Sequence, residues 1–129
     1  MAANRPEECD LLIGERLSAG DLEGVVALYE PDARFVIGPG NVAEGTDAIR
    51  EVMRGMLAGH PTLKIEVPLV VQTGDLALLH SKWTVTSTGA DGKQTTDSGN
   101  GREVVRRQAD GTWRFVIDYG NGGDPSSNA

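Results

Sequence analysis

The sequence predicts an α+β fold in which a strongly curved antiparallel sheet, shaped like a cone, packs on three N-terminal helices. Apolar residues recur at helical spacing in three stretches before residue 60. After it, β-branched and apolar segments alternate with short Gly- and Asp-containing turns. Consecutive strands joined by short turns pair antiparallel, and helices of this number cover one face of such a sheet.

Each helix has a start or stop signal. Pro6 can open the first helix, and Gly20 ends it. Asp21 can cap a short second helix, and Thr46 can cap a third that ends at Gly59. The residues expected to face inward are Cys9, Leu12, Ile13 and Leu17, then Leu22, Val25, Val26 and Tyr29, then Ile49, Val52, Met53, Met56 and Leu57.

The strands are bounded by turn residues. One short strand, 33–37, lies between the second and third helices, and Gly38-Pro39-Gly40 follows it as a loop. The remaining predicted strands are 63–72, 76–88, a segment ending at Arg107, and 112–119. We expect a single domain over residues 1–120 and a disordered polar tail over 121–129.

Composition excludes several classes of function. The chain has 129 residues and a formal net charge of -7, so a nucleic acid or an anionic membrane is not an expected partner. The N-terminus shows no signal peptide or membrane span, and the cytoplasm is the expected location. Cys9 is the single cysteine and is expected to be a buried thiol. No cluster of His, Cys and Asp has metal-ligand spacing, so no metal is expected. No organic cofactor is expected either.

Several short motifs resemble a known family. They are LSAGDLEG at 17–24, ALY at 27–29, PDA at 31–33, GTDAIR at 45–50, GDLA at 74–77 and DGTWR at 110–114. Together they make residues 7–120 similar to ketosteroid isomerase and the SnoaL-like polyketide cyclases, within the nuclear-transport-factor-2-like superfamily. The resemblance implies the cone fold, but this fold hosts isomerases, cyclases, hydrolases, dehydratases and plain binding modules.

The catalytic positions of that family are only partly kept. Ketosteroid isomerase uses a Tyr and a protonated Asp as its oxyanion hole and a second Asp as its base. The resemblance puts Ile13 at the Tyr position, Ile37 at the base position and Glu103 at the position of the protonated acid. Steroid isomerisation is therefore not expected. SnoaL-like cyclases imply a late acidic base, which is Asp118 here, and the Arg-x-Asp of limonene epoxide hydrolases is absent from the sequence.

Strand alternation assigns side chains to the two sheet faces. The resemblance implies that the residues inside the cone are Leu78, His80, Lys82, Thr84, Glu103, Val105, Arg114, Val116 and Asp118. The outer face then holds Leu79, Trp83, Trp113, Phe115 and Ile117, which makes it the more apolar face. Either this alternation is wrong and these residues form the core, or a second subunit covers them. We favour a homodimer centred on Trp83, Trp113 and Phe115.

The resulting hypothesis is a cofactor-independent isomerase, cyclase or dehydratase. Asp118 or His80 would move a proton at a carbon next to a carbonyl, and Glu103 or Lys82 would stabilise the oxyanion. A small apolar or carbonyl-containing molecule would be bound with the help of Lys82, Thr84 and Tyr119. The alternative is a non-catalytic module that binds a small ligand or forms a dimer, which the aliphatic Ile13 and Ile37 favour.

Overall fold

Three helices precede or flank a six-stranded sheet in the computed structural model, which describes residues 2–124. The elements in chain order are α1 (Glu8–Ser18), α2 (Leu22–Val26), β1 (Tyr29–Gly38), β2 (Asn41–Glu44), α3 (Gly45–Leu57), β3 (Thr62–Thr73), β4 (Leu76–Thr88), β5 (Gln94–Arg107) and β6 (Trp113–Tyr119). The α+β class and the three helices are confirmed.

The predicted helix signals act where the sequence puts them. Gly20, with φ of 74°, follows the end of α1 and donates its N–H to the Leu17 carbonyl over 3.1 Å. Asp21 accepts a hydrogen bond from the Gly24 N–H and so caps α2. Tyr29 is buried as expected, but it begins β1 because α2 ends at Val26.

The sheet order is β2-β1-β6-β5-β4-β3. Strands β3 to β6 form an antiparallel meander, as predicted. Strand β2 was not predicted: it pairs antiparallel with β1 after the Pro39-Gly40 turn. Strand β1 pairs parallel with β6, so the sheet is mixed rather than wholly antiparallel. The parallel pair is possible because α3 and the meander separate the two strands in sequence.

The core lies between the helices and one face of the sheet, called the inner face below. Gly14 of α1 lies against Leu63 and Ile65 of β3, where an added Cβ would be 3.4 Å from the Leu63 carbonyl oxygen. The fully buried side chains include Leu17, Ile49, Met53, Leu79 and Phe115. The opposite face carries none of the helices described over residues 2–124 and is called the outer face.

The predicted alternation on β4 is wrong. Ala77, Leu79 and Ser81 are buried on the inner face, whereas Leu78 and Lys82 are exposed on the outer face. Leu79 pairs directly with Glu103, and direct partners in a sheet lie on the same face. The family match was one residue out of phase on β4, and a shift of one residue exchanges the two faces of a strand.

A β-bulge in β6 explains the second error. Ile117 pairs with Val104, but Phe115 pairs with Val105, so Val116 has no partner on β5. Trp113 and Phe115 therefore lie on the inner face together with Asp118, although strict alternation would separate them. Trp113 is 3% exposed and Phe115 is 0% exposed. These two residues are core, and they cannot be the centre of an outer dimer face.

The segment after β6 contacts β5 through Asp124. Asp124 Oδ1 accepts hydrogen bonds of 3.0 Å from the backbone N–H and from the side-chain amide of Asn100. The single domain over 1–120 and the disordered tail over 121–129 stay predictions, and residues 125–129 lie outside the described residues. Over residues 2–124, no helix is long and apolar enough to cross a membrane.

Candidate functional site

Two acidic side chains face each other on the inner face of the sheet. Glu103 of β5 and Asp118 of β6 are direct antiparallel partners, in a row with Leu79 on one side and Phe35 on the other. Glu103 is 1% exposed and Asp118 is 7% exposed. Like charges placed opposite each other destabilise a sheet, and burial adds to the cost of ionising both. If both side chains were ionised, this pairing would therefore destabilise the fold.

Three further polar side chains surround this pair. The Tyr29 hydroxyl donates a hydrogen bond of 2.5 Å to Asp118 Oδ2. The Ser81 hydroxyl donates one of 3.0 Å to Glu103 Oε2. Asp10, on α1, is 2% exposed and lies within hydrogen-bonding reach of Glu103. The acid cluster, as we call Asp10, Glu103 and Asp118, is thus contributed by a helix and two neighbouring strands.

Burial raises the pKa of all three members of the acid cluster. Desolvation is the largest cause in each case, and it raises the pKa of Asp10 to about 6 and that of Asp118 to about 7. Desolvation and then the hydrogen bond to Asp10 raise the pKa of Glu103 much further. None of the ion pairs among the described residues includes any of the three carboxyls. Burial therefore favours the protonated form of each of the three carboxyls, and most strongly that of Glu103.

Trp83 is the next inward-facing residue of β4 after Ser81. Its indole lies against Gly99, where an added Cβ would be 2.5 Å from the ring. Its Nε1 donates a hydrogen bond of 2.5 Å to the Gly120 carbonyl. Trp83 was predicted on the outer face. It lies instead on the inner face, between the acid cluster and the end of the sheet.

An open depression of about 840 Å³ lies beyond Trp83. Its lining comes from β3, β4, β5 and the C-terminal segment, and it does not include any member of the acid cluster. Most of its side chains belong to the outer face: Lys64, Glu66, Lys82, Thr84, Ser98 and Asn100. The depression accessible from outside and the buried acids are therefore separate features, and Trp83 is one of the residues that line the depression.

The predicted site residues divide between the two faces. Glu103 and Asp118 lie together inside, as predicted. His80 lies on the outer face, where it pairs with Leu69 and Arg102, so it does not contact the two acids. Lys82 and Thr84 line the open depression. Tyr119 pairs with Arg102 and is also on the outer face. The expected single cavity of His80, Lys82, Glu103 and Asp118 is therefore wrong.

Sequence reasoning missed Asp10, Tyr29 and Ser81 as neighbours of the acid cluster. Helical spacing could have predicted that Asp10 is buried. It lies on one stripe of α1 together with Ile13, Gly14 and Leu17. The hairpin register could have predicted the position of Ser81. The turn at 89–92 pairs Thr88 with Gln94, and the same register pairs Ser81 with Gly101, two residues from Glu103. Tyr29 was expected inside, but nothing in the sequence paired it with Asp118.

The cluster is not arranged as a metal site. Within residues 2–124, no group of three or more His, Cys, Asp or Glu side chains is placed so that it could hold a metal ion. One oxygen of Glu103 is engaged by Ser81 and one oxygen of Asp118 by Tyr29. What the cluster can do with its own groups is to hold and transfer protons.

The fold and the buried acids define a class of protein: an open, curved α+β sheet with polar groups on its helix-covered face. The sequence profile of the SnoaL-like domain matches residues 13–118. The chain belongs to the SnoaL-like family. A search of curated protein sequences finds no match.

Solved structures of similar fold are known. A ketosteroid isomerase-like protein from Erwinia carotovora atroseptica is 26% identical, with a TM-score of 0.75, over 87% of this chain and 88% of that one. A protein from Novosphingobium aromaticivorans, described as nuclear-transport-factor-2-like with a cystatin-like fold, is 20% identical, with a TM-score of 0.74, over 95% and 83%. A candidate dehydratase of the same superfamily from Streptomyces avermitilis is 18% identical, with a TM-score of 0.71, over 85% and 88%.

Proposed function

We propose that the protein binds a small carbonyl-containing molecule next to the acid cluster and moves a proton on it, without a metal or organic cofactor. The observation that carries the proposal is the buried, directly paired Glu103 and Asp118, which form no ion pair and have a raised pKa. Perturbed carboxyls of this kind concentrate at functional sites. The reaction class is that of an isomerase, cyclase or dehydratase, but not of a steroid isomerase.

Asp118 is the proposed base. Its Oδ2 accepts the Tyr29 hydrogen bond, so Oδ1 is the oxygen that can take a proton from the ligand. A pKa of about 7 suits proton transfer near neutral pH, because the group is partly ionised there and its conjugate acid can return the proton. In an isomerisation the proton leaves the carbon next to the carbonyl, resides on Asp118 and returns to another atom of the ligand.

Glu103 is the proposed hydrogen-bond donor to the oxyanion. Burial and its acidic neighbours keep its carboxyl protonated, and a neutral carboxyl can donate to a developing enolate oxygen. Ser81 holds Oε2, so the proton resides on Oε1. His80 and Lys82 have no part in this proton transfer, since neither lies beside Glu103 or Asp118.

Ligand entry would require movement at Trp83. The indole adjoins the open depression and lies over Gly99, whereas the acids behind it are almost fully buried. Lys82 and Thr84 line the depression and keep their proposed part in substrate binding there. Tyr119 is not among the residues that line the depression, and its part in substrate binding remains a prediction.

The test is exchange of deuterium into a panel of enolisable ketones and aldehydes, followed by proton NMR. Asp118→Asn should lower the exchange rate by about 10²–10⁴-fold, because the base is lost while the shape is kept. Asp97→Asn, which removes an exposed carboxyl of β5, is the matched control and should exchange as the wild type does. Wild-type rates no faster than those of Asp118→Asn would overturn the catalytic proposal.

A non-catalytic binding module is the second candidate. It is favoured by the closed state of the cluster, since no member of it is more than 7% exposed. In that case, compounds from the same panel would raise the melting temperature of the wild type without any exchange at the carbon next to the carbonyl. The two measurements together separate a binding protein from an enzyme.

We also propose a homodimer through the outer face, with different residues from those first expected. Val71, Leu78, Val104 and Ile117 form one continuous row across β3, β4, β5 and β6 on that face. Val71 is 51% exposed, Ile117 is 40% exposed and Leu78 is 39% exposed. A second copy of this row is the proposed partner, because a two-fold axis lets the same apolar patch cover itself.

A further inference from the structure

Asp10 is a buried acid that the proposed reaction leaves without a part. It is 2% exposed, and its Oδ2 is buried without a hydrogen-bond donor among the described residues. Glu103 Oε1 is in the same condition. Two ionised carboxylates would leave both oxygens unsatisfied, since each can only accept. A proton between the two carboxyls satisfies both, because they lie within hydrogen-bonding reach of each other.

We propose that Asp10 is a positioning residue that holds the proton of Glu103 in a carboxyl–carboxylate pair, so that Glu103 stays neutral and Asp118 is the member that exchanges protons. The inference deepens the proposed function and rests on it. In the ligand-free protein, Glu103 Oε1 carries the hydrogen and donates it to Asp10 Oδ2, while Ser81 donates to Glu103 Oε2. When a ligand is bound, the same hydrogen turns from Asp10 to the developing oxyanion, so Asp10 holds it only until the reaction needs it.

The two contacts of Glu103 act in opposite directions. The hydrogen bond from Ser81 favours the ionised form of Glu103 and lowers its pKa. The hydrogen bond that Asp10 accepts from Glu103 favours the neutral form and raises the pKa. The negative charge of Asp10 also raises the pKa of Asp118. Asp10 therefore acts on both partners of the row: it keeps the donor protonated and makes the base stronger.

Other titratable groups that face the cluster do not compete for the proton. Cys9 of α1 and Tyr29 of β1 are buried beside it, and desolvation raises the pKa of both, so both stay neutral across the physiological range. Asp10, Glu103 and Asp118 are the groups around the cluster whose protonation can change there.

The test is a carboxyl carbon NMR titration of the ligand-free protein, labelled at Asp and Glu. In the wild type, Glu103 should stay protonated from about pH 5 to about pH 9, beside an Asp10 that is ionised at neutral pH. In Asp10→Asn, an amide of almost the same shape donates to Glu103. The proton affinity of Glu103 should fall at least about tenfold, and the midpoint of Asp118 should also fall.

Glu15→Gln is the matched control, since it removes an exposed carboxylate from the same helix. It should leave both midpoints unchanged. The proposal is overturned by a wild-type Glu103 that is ionised at neutral pH, or by unchanged Glu103 titration in Asp10→Asn. If Asp10→Asn does not fold, Asp10→Ser replaces it. The wild-type titration also tests the proposal, because a protonated Asp10 beside an ionised Glu103 would contradict the assignment.

The outcome is independent of whether a reaction exists. If no compound exchanges deuterium but Glu103 titrates as expected, the proposed function fails and the proton pairing stands. If exchange occurs, Asp10→Asn should move the midpoint of its pH–rate profile to lower pH, because Asp118 becomes a weaker base. A purely structural Asp10 would change the amount of folded protein without moving that midpoint.

Discussion

Asp118 is a carboxyl whose surroundings make its ionisation costly in the folded state. Burial raises its pKa from the usual 3.8 to about 7, and the Tyr29 hydrogen bond only partly opposes this. The unfolded chain has the ordinary value. As pH rises between these two values, the unfolded state releases the proton while the folded state keeps it, so the free energy of unfolding falls. The residue thus contributes to stability in acid and loses that contribution as pH rises to about 7.

We expect Asp118→Asn to flatten this pH dependence. Asparagine has no proton to lose and can still accept from Tyr29. The difference in the free energy of unfolding between about pH 5 and about pH 8 should shrink by about 2 kcal/mol relative to the wild type. Urea unfolding at the two pH values measures it, with Asp97→Asn as control. An equal pH dependence in variant and wild type would show that Asp118 has an ordinary proton affinity.

Gly99 is required by the position of Trp83. A Cβ at this position would lie 2.5 Å from the indole, and the ring is also fixed by its hydrogen bond to Gly120. Gly99→Ala should lower the free energy of unfolding by about 1–3 kcal/mol. It should also shift the Trp83 fluorescence to the red in a Trp113→Phe background, because the ring is pushed outward.

Gly55 provides the control for that substitution. An added Cβ there meets nothing within 4 Å on the exposed side of α3, so Gly55→Ala should be neutral or stabilise the helix by about 0.5–1 kcal/mol. If Gly99→Ala behaves like Gly55→Ala, the indole does not occupy the place over Gly99.

The strands explain how much of the fold and of the site could be predicted. Element types and most turns followed from local signals such as the Asp21 cap and the Gly89–Gly92 turn. Face assignment needs the phase of each strand, and one bulge or a match shifted by one residue inverts it. Glu103 was assigned correctly because β5 alternates regularly, whereas Phe115 was not because Val116 interrupts β6.

Phe115 and Ile117 test the assignment of β6, since the sequence put both on one face and the structure separates them. Phe115 is 0% exposed and stacks on Tyr29 with ring centroids 4.9 Å apart, whereas Ile117 is 40% exposed. Phe115→Ala should cost about 3–5 kcal/mol in the free energy of unfolding. Ile117→Ala should change the stability of the monomer by less than about 1 kcal/mol. Comparable losses in denaturant melts of dilute protein would contradict the bulge.

The whole molecule has two unlike faces, and the proposed dimer uses the outer face. Leu78 lies in the middle of the exposed apolar row of the outer face. In a two-fold interface both subunits contribute residue 78, so Leu78→Lys places two lysines in the same apolar contact. The dissociation constant of the proposed dimer should therefore rise at least about a hundredfold. Sedimentation equilibrium measures this.

Leu11→Lys is the control, because Leu11 is 44% exposed on α1, away from the sheet face. That variant should sediment as the wild type does. A wild type that remains monomeric at high micromolar concentration would rule out the proposed dimer, and a Leu11-dependent dimer would assign the interface to the helices.

The unpaired Val116 also determines which kinds of sequence change the protein can tolerate. Substitution at this position leaves the phase of β6 intact, so Asp118 keeps its side of the sheet. Deleting one residue there would restore regular alternation, and either Asp118 or the Trp113–Phe115 pair would have to turn outward. In variant libraries, the length of this strand is thus a stricter constraint than the identity of the residue at its centre.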